Sequence, residues 1–247
     1  MYGCNRIRRP FCAALALLTR LGPARLVDNA CLEASVLFYP LVGAIIGTLC
    51  VLPFRLGLAE DLPWMQAWLY VGANLWLTRA LHWDGLADLA DAWGSGAQDE
   101  QFWNILKDSR MGVFGTLALI FCLTGMLVLA QTHCAAGNFI PLLLAPLVGR
   151  GACVALAALG HARGQQSLAA PIIAGARPCV ATLSICATLL PVAACVPMKA
   201  FLVLTAVLGC VIFRLHLLGL RQGGLNGDFL GASVILAELM TLAATLI

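Results

Sequence analysis

Long apolar stretches dominate the sequence, and they limit what the chain can fold into more than any other feature. The hydrocarbon core of a bilayer is about 30 Å thick, so a helix that spans it needs about 20 mostly apolar residues. Seven stretches approach that length, and we predict a membrane-spanning helix for each of them. Their approximate bounds are 36–56, 64–81, 112–133, 138–160, 180–197, 200–220 and 229–247.

Charged residues are too scarce for a soluble domain of this length. They make up 11% of the 247 residues, whereas 61% are hydrophobic and the mean hydropathy is +0.91. A soluble domain would carry charges on about a quarter of its residues. We therefore predict an all-α, polytopic integral membrane helix bundle with about seven transmembrane helices plus interfacial helices, built as a single membrane-embedded domain over residues 1–247.

The basic residues predict which side of the membrane each loop faces, because Lys and Arg gather on cytoplasmic loops. With the amino terminus inside, thirteen basic residues lie on the inner side and only Arg55 and Lys199 lie outside. The inner ones are Arg6, Arg8, Arg9, Arg20, Arg25, Arg79, Lys107, Arg110, Arg150, Arg163, Arg177, Arg214 and Arg221. The polar intervals, roughly 82–111, 161–179 and 221–228, then all face the cytoplasm.

Three aspartates in LHWDGLADLADAW, residues 81–93, form the densest group of acids. Asp84, Asp88 and Asp91 fall within an arc of about 60° on a helix. Like charges four residues apart destabilise a helix, so this face needs a counter-charge. Mg²⁺ would supply one, because it binds carboxylate oxygens and shares them with substrate phosphates. Three interpretations are open: a solvated helix face, an ion path, or a site for metal and phosphate.

A second polar segment, ILKDSRMGVFG at 105–115, carries cations next to two glycines. Arg110 can clamp a phosphate through two parallel hydrogen bonds, and Lys107 adds a point charge. Glycine allows the backbone to approach a ligand closely. With Asp108 and Ser109 between the cations, the segment indicates phosphate binding, the alternative being an ordinary cytoplasmic loop.

Two further acids belong to the last span. Asp228 lies at its inner mouth, and Glu238 lies ten residues further along. A carboxylate in lipid costs a few kcal/mol. Glu238 is therefore either a functional acid or half of an interhelical ion pair. Its candidate partners are the cations near span ends, Arg79, Arg150 and Arg214.

Several other kinds of site are not indicated. The sequence has no HExxH motif and no paired Cys and His spacing, so we predict no zinc site. It has neither a P-loop nor a Rossmann fingerprint. It also lacks a basic stripe with interleaved aromatics, so nucleic acid is not an expected partner.

The run HWDGLADLAD at 82–91, followed by KDSRMGVFG at 107–115, closely resembles the motifs of cobalamin synthase, the adenosylcobinamide-GDP ribazoletransferase family. The resemblance covers nearly the whole chain. It includes LTRLGP at 18–23, FYPLVGAIIG at 38–47, GRG at 149–151, and NGDFLGA with the later AEL within 226–239.

The resemblance implies a transferase of cobalamin biosynthesis. Adenosylcobinamide-GDP would react with α-ribazole or its 5′-phosphate, giving adenosylcobalamin or its 5′-phosphate plus GMP. It further implies Mg²⁺ as cofactor and a multi-pass location in the bacterial inner (cytoplasmic) membrane, with the active site facing the cytoplasm. The expected partners are these small molecules and the lipid bilayer. The sequence leaves a homo-oligomer open.

Phosphoryl transfer requires mostly positioning and charge stabilisation. We therefore expect Asp84, Asp88 and Asp91 to hold Mg²⁺ and to act in catalysis. One of them, or Asp108, would orient or deprotonate the attacking hydroxyl. The other candidates, which would contact phosphate or other polar groups of the substrates, are His82, Lys107, Ser109, Arg110, Arg150 and Asp228.

Two other functions compete with this one. The aspartate spacing also resembles that of CDP-alcohol phosphotransferases, although their DGxxAR core is absent. A membrane transporter of a cation or an organic substrate would place acids near the midplane, between two similar halves. Only Glu238 is a deep acid and the seven stretches show no repeat, so the sequence favours an enzyme.

Overall fold

The computed structural model describes residues 2–22, 27–164 and 167–247, with side chains from residue 7 onward in the first of these ranges. Pro23 and Arg25 lie outside the described residues, and so does the side chain of Arg6. The described chain consists of helices and connecting loops, with no β-strand.

In chain order the helices are α1 (Tyr2–Leu18), α2 (Asn29–Ser35), α3 (Tyr39–Arg55), α4 (Pro63–Thr78), α5 (Leu81–Gly94), α6 (Asp99–Leu106), α7 (Val113–Ala135), α8 (Ile140–Leu159), α9 (Ala169–Gly175), α10 (Pro178–Cys195), α11 (Met198–Arg221) and α12 (Gly227–Ala244). A 3₁₀ turn at Val36–Phe38 joins α2 to α3.

Within the described ranges, six helical segments are long and apolar enough to cross a membrane. They are Asn29–Arg55, Val113–Ala135, Ile140–Leu159, Pro178–Cys195, Met198–Arg221 and Gly227–Ala244. The prediction of an all-α, polytopic membrane protein is confirmed. The count differs from the predicted seven because α4 has only 16 residues. At 1.5 Å per residue it is about 24 Å long, which is shorter than the hydrocarbon core.

The three polar intervals of the sequence meet at one end of the bundle. The backbone N–H of Arg163, in the loop after α8, donates to Leu225 O at 2.8 Å, in the loop before α12. Trp103 of α6 donates through Nε1 to Gln222 O, also at 2.8 Å. We call this the polar end. That it faces the cytoplasm stays a prediction.

Helix α4 reaches the polar end from the other end of the bundle, despite its length. Near its start, Gln66 Nε2 donates to Leu58 O at 3.4 Å, in the loop after α3. Near its end, Leu77 O accepts a 2.8 Å hydrogen bond from the backbone N–H of Arg20. Within the described residues, α4 therefore runs along the bundle beside the six longer segments, and this brings α5 to the same end as the loops around 163 and 222.

Helices α8 and α12 occupy the buried centre, packed on each other, while α3 also packs on α8 and α5 on α12. Their surfaces are apolar nearly all round, which suits a helix enclosed by others. Helices α7, α10 and α11 are far more exposed along their apolar length. These three form part of the lipid-facing periphery of the protein.

Candidate active site

Helix α5 follows a sharp reversal of the chain at the polar end. Arg79 and Ala80 both adopt the left-handed backbone conformation, with φ of 58° and 53°, and this ends α4 and starts α5. The Arg79 side chain donates through Nη2 to the carbonyl oxygens of Ala16 and Leu17, at 2.8 and 2.9 Å. These carbonyls are among the unsatisfied acceptors that end α1. The start of α5 is thereby tied to α1.

Helix α5 buries its apolar side and turns its aspartates away from the core. Asp84 is exposed, whereas Asp88 and Asp91 are half-buried. Seven residues of helix rise separate Asp84 from Asp91 by about 10 Å along the axis. Asp88 lies between them along the helix axis.

Asp91 is engaged by the start of α7. Its Oδ2 accepts a hydrogen bond from Gly112 N and its Oδ1 accepts one from Gly115 N, each at 2.8 Å. Backbone N–H groups at a helix start have no partner within the helix, so the carboxylate satisfies two of them. A Cβ at either glycine would overlap this carboxylate. Asp91 thus fastens the segment after α6 onto α5.

A fourth acid joins this face from the far end of the sequence. Asp228, at the start of α12, packs against Gly85, where an added Cβ would lie only 2.8 Å from Asp228 Cα. Asn226 Nδ2 donates to Asp228 Oδ2 at 2.7 Å, and Asn226 Oδ1 accepts from the Asp228 N–H at 3.2 Å. The close contact between α5 and α12 therefore sets where the Asp228 carboxylate lies.

The four carboxylates act on one another electrostatically. Burial raises the pKa of Asp88 to about 6, helped by the negative charges of Asp84, Asp228 and Asp91. In the described part of the chain, none of these four acids forms a salt bridge with Lys or Arg. The surplus of negative charge favours a bound cation, and carboxylate oxygens are donors that suit Mg²⁺.

The four carboxylates are not arranged as a complete metal-coordination site. Over residues 2–22, 27–164 and 167–247, no three His, Cys, Asp or Glu side chains are gathered closely enough to hold a metal ion. The face thus offers the donor type and the charge that a divalent cation requires, while side-chain rotation would have to complete the coordination.

The segment between α6 and α7 presents its cations to solvent. Arg110 donates through Nη2 to Asp108 Oδ2 at 2.7 Å and through Nε to Asp108 Oδ1 at 3.0 Å. These hydrogen bonds lower the pKa of Asp108 to about 2, so this carboxylate is a poor proton acceptor at neutral pH. The Arg110 side chain is still 87% exposed. Lys107 and Ser109 are exposed beside it.

Two predicted substrate-binding residues lie inside the protein instead. His82 is 5% exposed, and burial together with the charge of Arg150 holds its pKa well below the usual value. Arg150 is fully buried and forms an ion pair with Glu238, whose other oxygen accepts from Asn74 Nδ2 at 3.2 Å. The structure selects Arg150 among the three candidate partners of Glu238. It does not bring His82 or Arg150 to the acidic face.

Two residues that organise the polar end are not among those predicted. Asn226 caps α12, and an Asn directly before a helical apolar run is a recognised sequence signal for a helix start. Gln222 accepts hydrogen bonds from Asp99 N, Trp103 Nε1 and the Arg163 guanidinium. No local pattern marks Gln222, because its partners come from distant parts of the chain.

Fold and site together define a polytopic helical membrane protein that presents an acidic helix face and an adjoining cationic segment at one end of its bundle. The family model described as cobalamin-5-phosphate synthase matches residues 10–246. The chain therefore belongs to the cobalamin-5-phosphate synthase family, as the resemblance predicted.

Similar proteins agree with this assignment. The chain is 44% identical over 221 residues to an adenosylcobinamide-GDP ribazoletransferase of Nitratidesulfovibrio vulgaris (strain DP4), covering 90% of both chains. A protein of that name from the Miyazaki F strain is 43% identical, covering 97% of this chain and 95% of the relative. One from Pseudomonas syringae pv. tomato is 37% identical, covering 96% and 97%. No solved structure matches the chain. The chain is thus a transferase of cobalamin biosynthesis.

Proposed function

We propose that this enzyme joins adenosylcobinamide-GDP to α-ribazole or its 5′-phosphate in a Mg²⁺-dependent phosphoryl transfer at the cytoplasmic face of a bacterial inner membrane. The products are adenosylcobalamin or its 5′-phosphate and GMP. The names of the relatives support the reaction, and the family match favours it over the CDP-alcohol phosphotransferase and the transporter considered above. The single observation that carries the site is the packing of Asp228 on Gly85, which adds a fourth acid to the three of α5.

The bonds that form and break follow from the substrates. A ribose hydroxyl oxygen of α-ribazole attacks the phosphorus on the cobinamide side of the diphosphate, and the bond from that phosphorus to the bridging oxygen breaks. GMP leaves with the bonding electron pair. The hydroxyl proton passes to a carboxylate oxygen of the acidic face that binds no metal. Because such a transition state is mostly stabilised by positioning and charge, the protein has to align the two substrates and neutralise the diphosphate.

We assign the metal to Asp84, Asp88 and Asp228, whose charges interact and have no cationic partner in the described residues. Mg²⁺ bound there would neutralise the diphosphate and stabilise the leaving phosphate. Asp91 was predicted as a third ligand on α5. Since both its oxygens accept backbone hydrogen bonds, we assign it to holding the segment after α6 in place.

The cations of that segment would bind the substrate phosphates and neutralise their negative charge. Lys107 is exposed and has no acidic partner in the described chain, so its ammonium group is free to bind an anion. Arg110 already uses part of its guanidinium on Asp108, but its exposure leaves further N–H groups for a phosphate oxygen. Asp91 holds this segment beside the acids, and Ser109 adds a hydroxyl donor.

The orientation is supported by the distribution of basic residues. Placing the polar end in the cytoplasm leaves only Arg55 and Lys199 on the outer side, in agreement with the positive-inside preference. Both guanine-containing compounds, adenosylcobinamide-GDP and GMP, would then bind and leave on the cytoplasmic side.

The metal assignment is tested by GMP release from adenosylcobinamide-GDP and α-ribazole, measured over a range of Mg²⁺ concentrations on purified protein. We expect no release in the presence of a chelator and recovery when Mg²⁺ is restored. In Asp228→Asn we expect the Mg²⁺ concentration for half-maximal rate to rise roughly tenfold or more, because one charged donor is lost. An unchanged Mg²⁺ requirement in this variant would remove Asp228 from the metal site.

A further inference from the structure

A groove opens on the side of the bundle between α5, α7, α11 and α12. Its volume is about 470 Å³ and its walls are mostly apolar. We call it the lateral groove and define it by Trp93, Phe121, Leu217, Leu236, Arg214 and Arg221. Trp93 and Phe121 are 65% and 75% exposed, so the groove has a large uncovered aromatic surface.

The lateral groove extends to the depth of lipid chains. Three of its four helices, α7, α11 and α12, are long and apolar enough to cross a membrane. Phe121 lies eight residues into α7 and Leu236 nine residues into α12, counted from the polar end. At 1.5 Å per residue these side chains lie about 12–14 Å from that end. The apolar part of the groove is therefore beside acyl chains.

Two arginines line the same groove. Arg214 and Arg221 are seven residues apart on α11, so they share one side of the helix about 10 Å apart along its axis. Both are exposed. In the described chain neither takes part in an ion pair or donates a side-chain hydrogen bond. Arg221 ends α11 at the polar end, whereas Arg214 lies about 10 Å deeper along the span. An arginine at that depth needs an anionic partner or a route to the interface, and an anionic group between the two would pair with both.

The groove is separate from the acidic face. Leu86 and Leu89 of α5 line it and lie on the side of that helix opposite Asp84 and Asp88. The body of α5 therefore stands between the groove and the carboxylates assigned to the diphosphate. We therefore expect an occupant of the groove to take no part in the phosphoryl transfer.

We propose that the lateral groove binds a phospholipid with an anionic headgroup. The phosphate lies between Arg214 and Arg221, and an acyl chain runs along Phe121 and Leu236 towards the middle of the membrane. Basic groups near a membrane surface attract anionic lipids, and the apolar walls accommodate a chain that a free phosphate lacks. This lipid site is independent of the proposed transfer reaction.

The test uses the full chain in nanodiscs of phosphatidylcholine that contain a spin-labelled phosphatidylglycerol. Immobilised label measures the bound lipid in the parent and in a variant with Arg214→Ala and Arg221→Ala. We expect the variant to bind this lipid roughly 25-fold more weakly, from about fivefold per arginine. The matched control carries Arg8→Ala and Arg9→Ala, which removes the same charge from exposed positions on α1 outside the groove. We expect it to bind the lipid like the parent.

Three results would overturn the proposal: equal binding by the parent and the groove variant, an equal loss in the control, or release of the lipid from the parent by GMP. The last would make the groove a substrate site. If the double alanine variant does not fold, Arg221→Ala alone is expected to weaken binding roughly fivefold. A variant with lysine at both positions keeps the charge and should retain phosphatidylglycerol.

Discussion

The aspartates of α5 have different surroundings although they lie on one helix face. Both oxygens of Asp91 accept hydrogen bonds from the backbone at the start of α7, whereas Asp84 is exposed. Asp88 is half-buried, and this burial, together with the charges of Asp84, Asp228 and Asp91, raises its pKa to about 6. Asp108 differs again, because Arg110 lowers its pKa to about 2. At neutral pH the negative charge of Asp88 therefore carries an electrostatic cost, and a bound cation would relieve that cost.

Replacing Asp88 tests the centre of this face. In Asp88→Asn the repulsion among the acids falls, so we expect folding to be retained while the rate of GMP release drops roughly hundredfold or more. The control is Asp99→Asn, which makes the same chemical change on α6, where the left-handed backbone conformation tolerates Asn. Equal rates for the two variants would rule out a direct role for Asp88.

Replacing Asp91 separates anchoring from metal binding. Asn keeps one acceptor and loses the other, so we expect Asp91→Asn to lower the free energy of unfolding by about 1 kcal/mol, as for a lost helix cap. Thermal unfolding in detergent would measure this change. The Mg²⁺ concentration for half-maximal GMP release should stay as in the parent. A large rise in that concentration would instead make Asp91 a metal ligand.

At the scale of elements, the contact between α5 and α12 builds the site. Neither helix alone carries all the acids, and Gly85 allows the two backbones to approach where Asp228 begins α12. A few tenths of an ångström matter here, because catalytic groups must be held within narrow limits of distance and angle.

Gly85→Ala should therefore disable the enzyme without removing any charged group. The added Cβ would push α5 away from Asp228, with an expected loss of roughly hundredfold in the rate of GMP release. Gly72→Ala is the matched control, since a Cβ on that helical residue of α4 meets nothing within 4 Å. Comparable activity of the two variants would show that the close approach is unimportant.

At the scale of the whole molecule, the centre of the bundle contains a buried ion pair. Arg150 of α8 and Glu238 of α12 are each about 1% exposed and pair with one another. Such a pair adds little net stability compared with apolar residues, but removal of one partner leaves a charge without compensation. We therefore expect the ion pair to make the packing of the two central helices specific.

Glu238→Gln should destabilise the bundle by roughly 3–5 kcal/mol, because Arg150 would remain buried and charged. Thermal unfolding in detergent measures the loss. Glu33→Gln breaks the exposed pair with Arg177 and should cost at most about 1 kcal/mol. A double variant with Arg150→Met and Glu238→Leu should recover much of the stability. Similar losses from Glu238→Gln and Glu33→Gln would contradict a structural role for the buried pair.

Local patterns were sufficient for the long apolar helices, the membrane class and the shared face of Asp84, Asp88 and Asp91. These features depend on apolar length and on the 3.6-residue period, which neighbouring residues define by themselves. The family also followed from two short motifs. The length of α4 was predicted less well, because its apolar run continues into the turn at Arg79 and Ala80.

The contacts between residues from different helices could not be predicted from local patterns, because they depend on the tertiary structure. Asp91 and Gly112 are 21 residues apart, and Arg150 and Glu238 are 88 residues apart, so no local period relates them. Arg150 was expected at the substrate because the sequence shows a cation near a span end, but not the helices that enclose it. Helix packing buries that arginine, brings Asp91 to the start of α7 and adds Asp228 to the acids of LHWDGLADLADAW. Which helix faces pack together depends on their shape and on how closely their backbones can approach, not on their distance along the chain.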